Sequence, residues 1–249
     1  MNLGAHGNPG AADLVLLVAV ASLPIPEVIL FPALRRALAE GSTTARLAFY
    51  RTVTVVEWLF AGAVALLWIA NGRPWSALLL GSAAPWRVAL CFLLIPVAVW
   101  IWLSNQRAVD RAGPEQLERL RMRAGGALFI LPNTASERDV FRFVSLTAGI
   151  CEEIVYRGFV MWALASYVGL YPALALQAVI FALGHVYQGS DPRSIASALL
   201  KTGAAGLFFG LIALAAGSLI PGMIVHTLMD LSSGEVSYRF FAKESSAAT

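Results

Sequence analysis

Long apolar runs separated by short arginine-bearing stretches set the pattern of this chain. Seven runs stand out, at about 12–34, 52–70, 86–104, 140–165, 171–187, 195–215 and 218–236. Each approaches the roughly 20 residues that a helix needs to cross a hydrocarbon core of about 30 Å. None shows the strict alternation of a half-buried strand. The pattern predicts an all-α polytopic membrane bundle of about seven transmembrane helices. The first run holds Pro24, Pro26 and Pro32, which predicts a kinked or broken helix. It also holds Glu27, an acid with no evident partner in the sequence. No internal repeat of the kind that builds inverted-repeat transporters is visible.

Composition strengthens this picture. Of the 249 residues, 58% are hydrophobic and only 13% charged, against about 25% charged in soluble domains. A net charge of +3 gives no reason to expect a nucleic-acid partner. The distribution of that charge matters more. With the N-terminus outside, fourteen Lys and Arg residues fall on the cytoplasmic side, while only Arg73 and Arg87 fall opposite. Basic residues mark cytoplasmic loops, so an N-out, C-in orientation is expected. Ala19-Val20-Ala21 has the form of a cleavage site, but no Lys or Arg precedes Arg35, so a retained span is expected. Cys91 and Cys151 sit in apolar runs and read as buried thiols.

Four regions follow. Residues 1–105 hold the first transmembrane helices. Residues 106–139 form a cytoplasmic loop, whose stretch EQLERLRMRAGGALFIL suits either a helix on the lipid surface or a solvated linker. Residues 140–236 form a transmembrane core rich in polar groups, and 237–249 a cytoplasmic tail.

That core carries the chemistry. CEEIVYRGFVMW places Glu152, Glu153 and Arg157 inside an apolar run. Charges in a membrane are costly and mark functional sites. Four residues apart on a helix, Glu153 and Arg157 share a face and can pair. Glu152 points about 100° away and is free to face the bundle interior. FALGH gives Phe181 and His185 four residues apart, and HTLMD gives His226 and Asp230 at the same spacing. A carboxylate one turn from an imidazole can orient it.

Taken singly, each histidine reads more readily as a structural residue, and the Glu-Glu-Arg group as an ion pair that fixes packing. Jointly they suit hydrolysis. Glu152 is a candidate base toward water, and a histidine can share the proton. A second histidine with a polar neighbour can stabilise an oxyanion. Glu152, His185 and His226 also form a candidate zinc set with a fourth position for water. Neither H-E-x-x-H nor G-x-S-x-G occurs, which argues against a soluble-type zincin or serine hydrolase.

At these residues the chain resembles the CPBP family of intramembrane proteases, which includes type II CAAX prenyl endopeptidases and bacterial Abi-type proteins. The motifs E-E-x-x-x-R, F-x-x-x-H and H-x-x-x-N/D appear in order as Glu152-Glu153-Ile154-Val155-Tyr156-Arg157, Phe181 to His185, and His226 to Asp230. The likeness covers about residues 136–232. It implies a helical bundle with a cavity facing the cytoplasm. Glu152 would be the principal acid/base with His185 beside it. His226 and Asp230 would hold the oxyanion or position a metal, and Glu153 and Arg157 would shape the site. It also implies a peptide or membrane-protein substrate, lipidated in some members, and a bacterial inner-membrane location. The CAAX proteases carry Asn where this chain has Asp230, which points to a bacterial-type member. A non-catalytic binding or immunity protein of the same fold, and an ion or proton carrier, are the competing readings.

Overall fold

The computed structural model describes residues 8–81, 83–124, 128–189 and 191–247. It is helical throughout, with no strand among the described residues. The helices are α1 (Ala11–Ala21), α2 (Pro24–Ala39), α3 (Thr43–Ala70), α4 (Pro85–Phe92), α5 (Leu94–Arg111) and α6 (Pro114–Ala124). They continue with α7 (Ala135–Glu152), a π-helical segment (Glu153–Val160), α8 (Met161–Val168), α9 (Leu170–Leu183), α10 (Pro192–Ala216) and α11 (Ile220–Ala247).

By length and apolar character α3, the combined α4–α5 stretch and α10 can each cross a membrane, and the bent α1–α2 pair adds a fourth. The bend of 52° follows the prolines, as expected for the first run. Glu27 lies in α2, and its side chain falls outside the described residues. The seven-span reading thus divides into two classes. Four runs cross on apolar content alone. The α7–α8 helix, α9 and α11 carry the polar groups or are short, and pack among the others. Helix α9 has 14 residues, between Gly169 at φ 83° and the turn that bears His185.

Helix α7 lies between α3 and α11, α9 packs on α10 and α8, and α11 also packs on α5. The register of α3 on α7 can be followed contact by contact. Arg46 Nη1 donates to Glu137 Oε1 at 2.8 Å, the Tyr50 and Phe141 rings are 5.4 Å apart, and Trp58 Nε1 donates to Thr147 Oγ1 at 3.2 Å. Glu137 lies at the arginine-rich end, before the apolar part of α7. Burial opposes its charge, but the Asn133 N–H, the Thr43 side chain and Arg46 outweigh burial and hold its carboxyl below the ordinary 4.5. At the other end Arg73 forms a two-pronged pair with Asp13, at 2.8 and 2.6 Å, and lies over the Trp68 and Trp162 rings.

Helix α6 packs on α5 and α11. Its Leu117 is buried against Val109 and Phe240, with Leu120 alongside. An Arg121–Glu244 contact of 2.5 Å joins it to the long end of α11. Residues 125–127 of the same stretch lie outside the described residues. Cys151 is buried, Cys91 is half-buried, and both are free thiols.

Candidate active site

Small residues bring the site helices close. A methyl group on Gly149 would come within 2.1 Å of Thr227 Oγ1 and 2.8 Å of its N, so α7 and α11 cross almost in contact there. One turn further, a methyl on Gly222 would meet Glu153 Oε2 at 3.1 Å. This crossing sets α11's His226 opposite the glutamate pair. The glutamates fall where α7 becomes π-helical, a local widening often found at functional sites.

Glu152 and Glu153 have different surroundings. The Glu153 side chain is 0% exposed, and its Oε1 is ion-paired with Arg157 Nη1 at 3.2 Å and hydrogen-bonded to His226 Nδ1 at 3.0 Å. The Glu152 side chain is 15% exposed, and its Oε2 lies 3.5 Å from His226 Nε2. Asp230 Oδ2 lies 3.8 Å from the same nitrogen. Thus both ring nitrogens of His226 face carboxylate oxygens. The Phe209 ring stacks on the imidazole at 4.6 Å and 16°. Pairing of Glu153 with Arg157 follows the expected helical offset. Its bond to His226 across 73 residues does not follow from local spacing.

Phe181 explains why a phenylalanine stands one turn before His185. Its carbonyl accepts from His185 Nδ1 at 2.8 Å, and its ring lies 4.6 Å from the imidazole. A carbonyl can only accept, so Nδ1 carries the proton and Nε2 is left with a lone pair. The other side of the Phe181 network holds the Arg157 guanidinium, 4.2 Å from the ring centroid, with Phe209 at 5.4 Å. Arg157, fully buried, is therefore held by one carboxylate and a set of aromatic faces.

Glu152 and His185 line one cavity of about 440 Å³ between α2, α3, the end of α7 and the turn after α9. Its walls are mostly apolar, with Leu23, Phe31, Phe49, Val53 and Phe60 among them. His226 and Asp230 are not on this wall. They stand behind Glu152, so the six residues form two linked groups in place of one ring around a cavity.

The candidate zinc set of Glu152, His185 and His226 fits this arrangement poorly. Among the described residues no three His, Cys, Asp or Glu side chains form a group able to hold a metal ion. The Nδ1 bonds of His226 and His185 leave each Nε2 to face a ligand, but the three side chains are not gathered around one point. One acid was not anticipated from the sequence. Glu57 of α3 lines the same cavity as Glu152 and is close enough to Glu152 and Asp230 for their charges to act on it. It has no motif around it, and its partners lie some 90 or more residues away in the chain.

Residues 139–232 match the family model described as Type II CAAX prenyl endopeptidase Rce1-like. No curated protein and no solved structure matches the chain. The matched segment contains all seven motif residues, from Glu152 to Asp230. The match agrees with the CPBP resemblance and supports an intramembrane endopeptidase in general terms. Together with the apolar helices it makes this a multi-pass membrane protein.

Proposed function

We propose that the chain hydrolyses a peptide bond of a membrane-associated peptide or protein near the arginine-rich, cytoplasmic face, with Glu152 and His185 activating water. One observation carries this reading: the partly exposed glutamate and the histidine with a free Nε2 lone pair line the same largely apolar cavity. Glu152 accepts a proton as water attacks the scissile carbonyl. His226, held by Glu153 and flanked by Asp230, lies 3.5 Å from Glu152 Oε2 and steadies that carboxylate from behind. The carbon–nitrogen bond then breaks, and Glu152 returns its proton to the leaving amine. Arg157 holds Glu153 in place and touches no reacting atom.

The arrangement supports a glutamate–water mechanism, and no step here passes through a metal. The family description names prenyl substrates. For this chain we carry over only the apolar character, because the cavity suits an apolar or lipidated segment equally. Asp230 in place of Asn fits a bacterial-type member, and hence an inner-membrane location. The test compares membrane peptides from cells holding the native chain with those from cells holding Glu152→Gln. Fragments that vanish in the variant identify substrates. Identical peptide sets, with both proteins folded and at equal level, would replace the enzyme reading with a binding or immunity role.

A further inference from the structure

Glu57 lies outside the matched segment, and the hydrolytic scheme above does not use it. Its position is defined by the register of α3 on α7, with the neighbouring Trp58 bonded to Thr147. This sets its carboxylate on the cavity wall with Cys151 and Glu152. Its nearer cavity neighbours on α3 are Val53, Val56 and Phe60. One oxygen, Oε2, is fully buried and accepts no hydrogen bond from the protein among the described residues.

A buried acceptor without a donor is costly, and structures rarely leave one without reason. The surrounding charges make the need sharper. Glu152 and Asp230 both add negative charge near Glu57. No lysine or arginine is among the described residues that line the cavity. Arg157 is turned away behind Glu153, Phe181 and Phe209. Arg35 stands at the rim, where the carbonyls of Tyr187 and Gly189 hold it. The carboxyl as a whole stands on the cavity wall, where no basic side chain of the described residues meets it, so a cationic side chain entering the cavity is the complementary partner.

We propose that Glu57 is a specificity-determining residue that receives a lysine or arginine side chain of the substrate, close to the bond presented to Glu152. The apolar walls take the methylene stem and the neighbouring apolar residues of the substrate. The cationic head meets the Glu57 carboxyl at the cavity wall and balances the negative charge that Glu152 and Asp230 place beside it. The substrate class is thus an apolar segment that carries one basic residue beside the cleavage point. This assignment rests on the reading of Glu152 as the water-activating group.

The experiment uses the full chain in lipid nanodiscs and a library of fluorescent apolar peptides, each made with lysine or with uncharged norleucine at one scanned position. Binding is measured on wild type, on Glu152→Gln, and on each with Glu57→Gln added. With Glu57 intact, at least one lysine position should bind about ten- to a hundredfold tighter than its norleucine partner. Glu57→Gln should remove that difference, Glu57→Asp should keep part of it, and Glu57→Lys should turn the preference toward glutamate at the same position. For peptides that are cleaved, the effect should appear in KM more than in kcat. Equal binding of all lysine and norleucine pairs, or no binding of any lysine peptide, overturns the assignment. So does a Glu57→Gln loss that is the same for both peptides in folded protein, which would make Glu57 part of the general scaffold or of the hydrolytic step. Cleavage that survives Glu152→Gln would defeat the hydrolytic reading instead, and is separable because binding is scored without turnover.

Discussion

Glu152 and Glu153 are adjacent in the chain, yet one reaches the cavity and the other is sealed between Arg157 and His226. Their substitutions should therefore fail in different ways. Glu152→Gln keeps shape and packing and removes the base, so turnover should fall about 10²- to 10⁴-fold with unfolding temperature little changed. Glu153→Gln leaves a fully buried guanidinium with only aromatic faces around it. Breaking a buried pair in this way costs about 3–5 kcal/mol, so thermal unfolding should shift down together with activity. Equal, fully folded loss in both variants would contradict the division. Metal dependence also belongs at this scale. Exhaustive chelation should leave turnover unchanged, because no three candidate ligands are gathered among the described residues. Activity lost on chelation and restored by zinc would assign Glu152, His185 and His226 the metal role. Spacing of i to i+4 paired Glu153 with Arg157, Phe181 with His185 and His226 with Asp230 and turned Glu152 to another face, while the meeting of the three pairs was legible only through the resemblance. Glu57 could not, because an isolated acid in an apolar helix has no local partner to mark it.

Helices meet at this site because two of them lack side chains where they cross. Gly149→Ala would drive a methyl into Thr227, whose backbone nitrogen cannot yield. Overpacking of this kind costs about 1–3 kcal/mol and should separate His226 from Glu153. Reduced stability, with activity lost beyond what stability explains, is the expected result. Wild-type activity and melting would refute the close crossing. The Arg46–Glu137 pair fixes the other end of α7 on α3. The folded state holds the Glu137 carboxyl below the ordinary 4.5, so its stabilising effect is fully present above that value. It is lost as pH falls through the lower folded value. Unfolding temperature measured against pH should drop on the acid side, and Glu137→Gln should flatten that drop while lowering stability near neutrality. Proline and glycine positions made the break in the first span legible in the sequence. The π-helical turn and the close crossing were not, since both depend on which distant helix is the neighbour.

For the whole molecule, the asymmetry of basic residues predicts which side each end faces. Reporter fusions after Gly72 and after Pro132 should fall on opposite sides of the membrane, with Pro132 cytoplasmic. The same side for both would overturn the arrangement of spans. Apolar run length was enough to read the helical bundle from sequence. It was not enough to separate helices that face lipid along their length from those enclosed by them, because both look apolar in one dimension. Helix α9 shows what that difference entails. At 14 residues it extends only about 21 Å, against a hydrocarbon layer of about 30 Å. Its Leu176 and Val179 are exposed, and a bilayer that thins to meet them does so at a modest energy per ångström. His185 sits at the arginine-rich end of this short helix, so hydrophobic mismatch brings headgroup hydration toward the residue that needs water. Bilayer thickness then becomes a control on supply of the second substrate. Turnover in nanodiscs of lengthening acyl chains should decline as local thinning fails to keep pace with the thicker bilayer, while peptide binding holds.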